Sequence, residues 1–181
     1  MKLVLLASGN GSLAQALIDA RFDIAGLVTD NPSAQVIERA KVTNIDCKII
    51  PFQSPRAVWD REIEDAVAQL NPDLVVSVGF MRILSNSFVK RFKVINSHPA
   101  LLPNFPGAHA VRDALSAGET ETGITIHYVN ESYDKGKVIH QEKVKVDRRD
   151  TAEKLAKKIQ ELEHRVLPEI TEKLIGQMSY Y

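Results

Sequence analysis

Three short stretches carry residues able to do chemistry. The first is Asn96-Ser97-His98-Pro99-Ala100-Leu101-Leu102-Pro103, which follows an apolar run ending at Ile95. Asn96 and His98 are two apart, so on an extended chain their side chains point to the same side. A carboxamide donor beside an imidazole can stabilise an oxyanion and handle a proton. The same pair also serves to cap a surface loop, and the stretch by itself leaves both readings open. The second stretch is Ser8-Gly9-Asn10-Gly11-Ser12, a glycine-rich turn between an apolar run and a helical pattern. Backbone N–H groups and the helix dipole favour a phosphate there, and Ser12 adds a hydroxyl. The loop also satisfies Gly9-x-Gly11-x-x-Ala14, with the acidic Asp30 nineteen residues after Gly11. That is a loose dinucleotide fingerprint with its ribose-binding carboxylate, so the loop does not choose between a phosphorylated substrate and NAD. The third stretch runs from Gly123 to Ile139 and contains Thr125, His127, Val129, Glu131, Tyr133, Asp134 and Gly136. An Asp-x-Gly in a loop is most often a turn.

The elements that must position these residues follow from hydrophobic pattern. Leu3 to Ala7 is continuously apolar, as expected of a buried parallel strand. Further strands are expected at 22–29, 47–50, 74–78 and 92–95, alternating with helices at 13–20, 33–42, 54–70 and 86–91. Ser33 is placed to cap the second helix, and Pro55 suits the first turn of the third. Strands alternating with helices predict an α/β fold, an open, mostly parallel twisted sheet with helices on both faces. In such sheets ligands bind beyond the carboxyl ends of strands, where the Asn96 stretch lies. The later part differs. A helix is expected over 107–117, strands at 123–129 and 137–146 pair as a hairpin at the sheet edge, and a long amphipathic helix covers 151–175 with a possible break at Pro168.

The chain has 181 residues, 23 basic and 23 acidic, and no formal net charge. That length suits one domain with its own core, and the charge balance gives no footprint for nucleic acid. The apolar run after Met1-Lys2 is too short for a signal segment or a membrane span. The single Cys47 cannot form an internal disulfide and reads as a small buried side chain in a cytoplasmic protein. No Cys/His cluster has metal-ligand spacing.

Asn96-x-His98-Pro99 followed by Leu-Leu-Pro, with Gly79-Phe80-Met81-Arg82-Ile83-Leu84 upstream, resembles the folate-dependent formyltransferases. The Gly123 to Ile139 pattern, through Asp134 and Gly136, follows the signature of the same family. The resemblance extends from the amino terminus to about Pro168. It implies a single Rossmann-like formyltransferase domain over residues 1–181, with extra strands at the carboxyl-terminal edge. The implied reaction moves a formyl group from 10-formyltetrahydrofolate to the amine of glycinamide ribonucleotide in purine synthesis, with no metal. The implied partners are these small molecules, not nucleic acid or membrane, for a monomer or homodimer. Asn96, His98 and Asp134 would be catalytic, with Asp134 orienting His98 and favouring its protonated form by Coulomb attraction. Gly11, Ser12, Leu13 and Glu163 would contact the ribonucleotide. Arg56, Met81, Arg82, Ile83, Leu84 and Asn96 would contact the folate. The family usually has Asn where this chain has Leu13, which removes one side-chain contact to the phosphate. A different amine acceptor therefore stays open, as does hydrolysis of the formyl donor. Three features count against an NAD-binding module. There is no length for a separate substrate domain, Asp30 is followed by Asn-Pro as in an ordinary strand exit, and such a module leaves Asn96 to Pro103 unexplained.

Overall fold

The computed structural model describes residues 1–132 and 134–178. In chain order the elements are β1 (Leu3–Leu6), α1 (Ser12–Asp19), β2 (Ile24–Thr29), α2 (Val36–Val42), β3 (Cys47–Ile49), α3 (Arg56–Gln69), β4 (Leu74–Ser77), α4 (Asn86–Arg91), β5 (Val94–His98), α5 (Ala110–Ser116), β6 (Glu121–Tyr128), β7 (Val138–Lys145) and α6 (Ala152–Met178). The strands form a seven-stranded sheet in the order β3-β2-β1-β4-β5-β6-β7. The chain divides into two compact units, residues 1–95 and 96–181.

In the first unit, β1 pairs in parallel with β2 and β4, and β2 with β3. Every side chain of Leu3–Leu6 is fully buried. Successive strand residues face opposite sides, so both faces of β1 are covered, as the uninterrupted apolar run requires. Trp59 and Ile63 of α3 and Phe88 of α4 complete this core. Ser85 caps α4 by accepting the Phe88 N–H at 3.2 Å. In the second unit, β6 and β7 form an antiparallel hairpin with β7 at the sheet edge. The buried residues Leu155, Ile159, Leu162, Val166, Ile170 and Leu174 recur every three or four positions along α6 and make its apolar stripe.

Several boundaries differ from the sequence reading. β5 runs on to His98, so Asn96 and His98 lie in the strand itself. α2 starts at Val36, and Ser33 does not cap it. The Ser33 N–H instead donates to Asn31 Oδ1 at 2.9 Å, and the Ala34 N–H to the Asn31 carbonyl at 3.1 Å, which closes a turn ahead of α2. α3 starts at Arg56 with Pro55 at its cap position, and α5 starts at Ala110 rather than 107. Pro168 does not break α6, whose apolar stripe continues past it to Leu174. Cys47 is half-buried at the start of β3, not enclosed, and burial raises its thiol pKa.

Candidate active site

β5 presents its last three side chains alternately. Asn96 and His98 share one side, and Ser97 faces the other, where its hydroxyl donates to Glu163 Oε1 of α6 at 2.6 Å. His98 is 4% exposed, and Asn96 is partly open to solvent. The loop after β5 is strapped to the β6–β7 hairpin. Thr125 Oγ1 donates to the Ala100 carbonyl at 2.7 Å and accepts the Leu102 N–H at 2.9 Å, while Gln141 Nε2 donates to the Leu102 carbonyl at 2.7 Å. Further along the same loop, the Phe105 carbonyl pairs with His98 Nε2 at 2.8 Å.

Asp134 stands between two imidazoles. Its Oδ2 accepts the Gly107 N–H at 2.9 Å and lies 3.5 Å from His98 Nδ1, while Oδ1 lies 3.6 Å from His127 Nε2. The three side chains are each 5% exposed or less. Asp134 has a left-handed backbone, φ 49°, which Asp tolerates better than most residues. Gly136 tucks the loop against β6, since a Cβ there would lie 1.5 Å from the Tyr128 carbonyl oxygen. With Nε2 donating to Phe105, a neutral His98 keeps Nδ1 bare. A proton added at Nδ1 then faces the Asp134 carboxylate, which is the arrangement of a proton carrier with its counter-ion. Glu163 is in the opposite situation. Burial pushes its pKa up to about 7, and the Ser97 hydroxyl only partly opposes this.

The first unit holds the other predicted residues. Gly11 caps α1 with φ 71°, and a Cβ there would lie 2.2 Å from Val36 Cγ2, so only glycine fits both the conformation and the packing. The Ser12 N–H donates to Asn10 Oδ1 at 2.9 Å, and Leu13 lies half-buried on the first turn of α1. Asp30, its side chain 2% exposed, is already engaged: it accepts Ser8 Oγ at 2.5 Å and Arg82 Nε at 2.7 Å. Ser8 Oγ in turn accepts the Met81 N–H at 2.9 Å. The carboxylate of the dinucleotide fingerprint thus ties the glycine loop to the Met81–Leu84 segment. Arg82 also lies over the Phe52 ring, 4.2 Å from its centroid. Arg56 pairs with Asp60 at 2.7 Å, donates to the Ile83 carbonyl, and lies over Trp59 at 5.0 Å. Met81 and Ile83 are 68% and 59% exposed, two apolar side chains displayed two residues apart in an irregular segment.

Comparison with known proteins decides the family. The sequence pattern described as "Formyl transferase" matches residues 1–171. The chain belongs to this formyl transferase family. The match crosses both compact units. Phosphoribosylglycinamide formyltransferase of Bacillus subtilis (strain 168) is 35% identical, over 97% of this chain and 95% of that protein. The trifunctional purine biosynthetic protein adenosine-3 of Bos taurus is 36% identical over 92% of this chain, which spans 18% of that longer protein. The crystal structure of phosphoribosylglycinamide formyltransferase from Streptococcus pneumoniae TIGR4 superposes with a TM-score of 0.92 at 32% identity, covering 96% of this chain and 98% of that one.

For this formyl transferase, the structure brings Asn96, His98 and Asp134 into one cluster and sets Glu163 beside the same strand through Ser97. Gly11, Ser12 and Leu13 open α1, and Arg56 meets the Met81–Leu84 segment at the Ile83 carbonyl. Tyr133 of the signature lies outside the described residues. Sequence reasoning placed Thr125 in the family signature without a role and gave none to Ser97 or Gln141. They position the site only through bonds far apart in sequence, which no local pattern reveals. Lys135 and Lys137 are exposed, and His109 is exposed at the cap of α5. Among the described residues, no three His, Cys, Asp or Glu side chains gather as metal ligands, and no helix is long and apolar enough to cross a membrane.

Proposed function

We propose that the chain transfers the formyl group of 10-formyltetrahydrofolate to the primary amine of glycinamide ribonucleotide, with both compact units acting as one catalytic domain and no metal taking part. The observation that carries this reading is the Asn96–His98–Asp134 cluster in a chain of this family. The amine attacks the formyl carbon, and the carbonyl oxygen becomes an oxyanion. The Asn96 carboxamide N–H and a protonated His98 stabilise that charge. The C–N bond to the folate nitrogen then breaks, the amine loses a proton and the folate nitrogen gains one. His98 gives its Nδ1 proton to the departing folate nitrogen and then takes up the amine's proton, with Asp134 as counter-ion. No serine or cysteine nucleophile is required.

Gly11, Ser12 and the start of α1 are suited to the substrate phosphate, through backbone N–H groups and the helix dipole. Leu13 contributes no polar contact. Glu163 is suited to the glycinamide part, where a cationic or hydroxyl partner would relieve its buried charge. The exposed apolar side chains of Met81 and Ile83, with Arg82 and Leu84, suit a flat pteridine ring, and Asn96 its formyl end. Arg56 suits the donor's acidic tail and holds the segment through Ile83. The test is product analysis by mass spectrometry with 10-formyltetrahydrofolate, with and without glycinamide ribonucleotide. Formylated ribonucleotide formed only when both are present supports the reading. Donor consumption at equal rates without the amine would mean hydrolysis, and no product with this amine would mean another acceptor.

A further inference from the structure

His127, which the sequence places in the strand signature as a packing or cofactor-adjacent residue, has no part in the proposed mechanism. It is 1% exposed on β6, and each of its ring nitrogens has a defined neighbour. Nδ1 lies 2.9 Å from the Tyr128 carbonyl oxygen, which can only accept. The proton of a neutral ring therefore sits on Nδ1, and Nε2 is bare. Nε2 lies 3.3 Å from the Asn96 carboxamide nitrogen, which can only donate. The chain from the Tyr128 carbonyl through the imidazole to the amide thus has a fixed direction. It decides which end of the Asn96 carboxamide faces which way, a choice that the amide by itself leaves open. Burial holds the His127 pKa below the ordinary histidine value, ahead of the raising effects of Tyr128 and Asp134. His98 and Asp134 are the ionisable groups that face it. A neutral ring with a bare Nε2 also does not donate to Asp134 Oδ1 at 3.6 Å, so the carboxylate charge stays available to His98.

Gly136 keeps this arrangement in place. A Cβ there would strike the Tyr128 carbonyl oxygen and come within 3.3 Å of His127 Nδ1, the two atoms of the first link. The glycine of the Asp-x-Gly turn is therefore required by close approach to the histidine's anchor.

We propose that His127, as the Nδ1–H tautomer, is a positioning residue for formyl transfer, holding the Asn96 carboxamide with one N–H engaged and the other directed at the developing oxyanion. This rests on the reading of Asn96 as an oxyanion donor. Loss of a whole donor of this kind slows turnover by roughly 10²–10³. Loss of its orientation is expected to cost less, about 10-fold, because the amide still samples the right direction.

Two variants separate the ring's functions. In His127→Gln the side-chain oxygen reaches the place of Nε2 and accepts from Asn96. In His127→Asn the shorter amide can satisfy the Tyr128 carbonyl but does not reach Asn96. The expected result is a kcat within about 3-fold of wild type for His127→Gln and about 10-fold lower for His127→Asn, with both Michaelis constants little changed. In an Asn96→Ala background, His127→Asn should have less than about 2-fold further effect, as two groups acting through one contact require. Equal losses in both variants, a Michaelis-constant effect alone, or full additivity with Asn96→Ala would overturn the proposal. Nitrogen-15 NMR of the histidine rings in the wild-type protein gives an independent arm: a protonated Nδ1 and bare Nε2 at His127 are expected, and the opposite tautomer would overturn it. Wild-type activity with glycinamide ribonucleotide tests the parent reading separately, and the ring tautomer is readable whether or not that amine is the acceptor.

Discussion

Replacing Glu163 with Gln should make the protein more stable at high pH and leave it unchanged at low pH. Glu163 has its pKa pushed from 4.5 up to about 7 by burial, while the Ser97 hydroxyl donates to it at 2.6 Å. The folded state therefore holds the proton more tightly than the unfolded chain. That contribution to stability is fully present below pH 4.5 and is lost as pH rises through about 7. The gap converts, at about 1.4 kcal/mol per pH unit, to a ceiling of about 3.5 kcal/mol. The side chain is not wholly enclosed, so solvent screening reduces this to about 1–2 kcal/mol. Glutamine keeps the shape and the Ser97 contact without the charge. Urea denaturation of both proteins at pH 5 and pH 8, monitored by circular dichroism, measures the difference. The variant should match wild type within about 0.5 kcal/mol at pH 5 and exceed it by about 1–2 kcal/mol at pH 8. A difference that does not change with pH, or a wild type whose advantage grows with pH, would show that the Glu163 carboxylate is not held against its charge.

Asp134→Asn should lower kcat by more than about 10-fold with little effect on either Michaelis constant, because an amide cannot act as counter-ion to a proton on His98 Nδ1. Steady-state kinetics with both substrates measures it, and a change in the Michaelis constants alone would make Asp134 a binding residue. Leu13→Asn should tighten glycinamide ribonucleotide binding by up to about 10-fold, the worth of one hydrogen bond to a charged group at the low end of about 1.5–3 kcal/mol. Calorimetry with each ligand checks this; folate affinity should stay constant, and unaltered or weaker nucleotide binding would show that Leu13 points away from the phosphate.

The parts of the fold most legible in the sequence were those set by local pattern. The buried run at Leu3–Leu6, the strand–helix alternation and the edge hairpin all came from hydrophobic periodicity. Boundaries set by side-chain bonds were not legible. Asn31 captures the Ser33 N–H and delays α2, and the packed stripe of α6 overrides the propensity of Pro168. The same division holds at the site. Asn96 and His98 were visible as a donor and an imidazole two residues apart at a strand's end, a spacing that left a loop-capping reading open until the resemblance to the family was added. Asp30 was visible but ambiguous, and its partners Ser8 and Arg82 explain it only once the chain is folded. His127 was hidden because its meaning lies in which atoms its two nitrogens face, and sequence spacing does not encode that.

The central claim is that the cluster at the end of β5 performs the transfer. Its most direct test is the rate of formylated ribonucleotide formation by His98→Ala, at saturating concentrations of both substrates, beside wild type. Transfer should fall to a small residue of the wild-type rate while circular dichroism stays unchanged. Activity within a few-fold of wild type in a correctly folded variant would contradict the account.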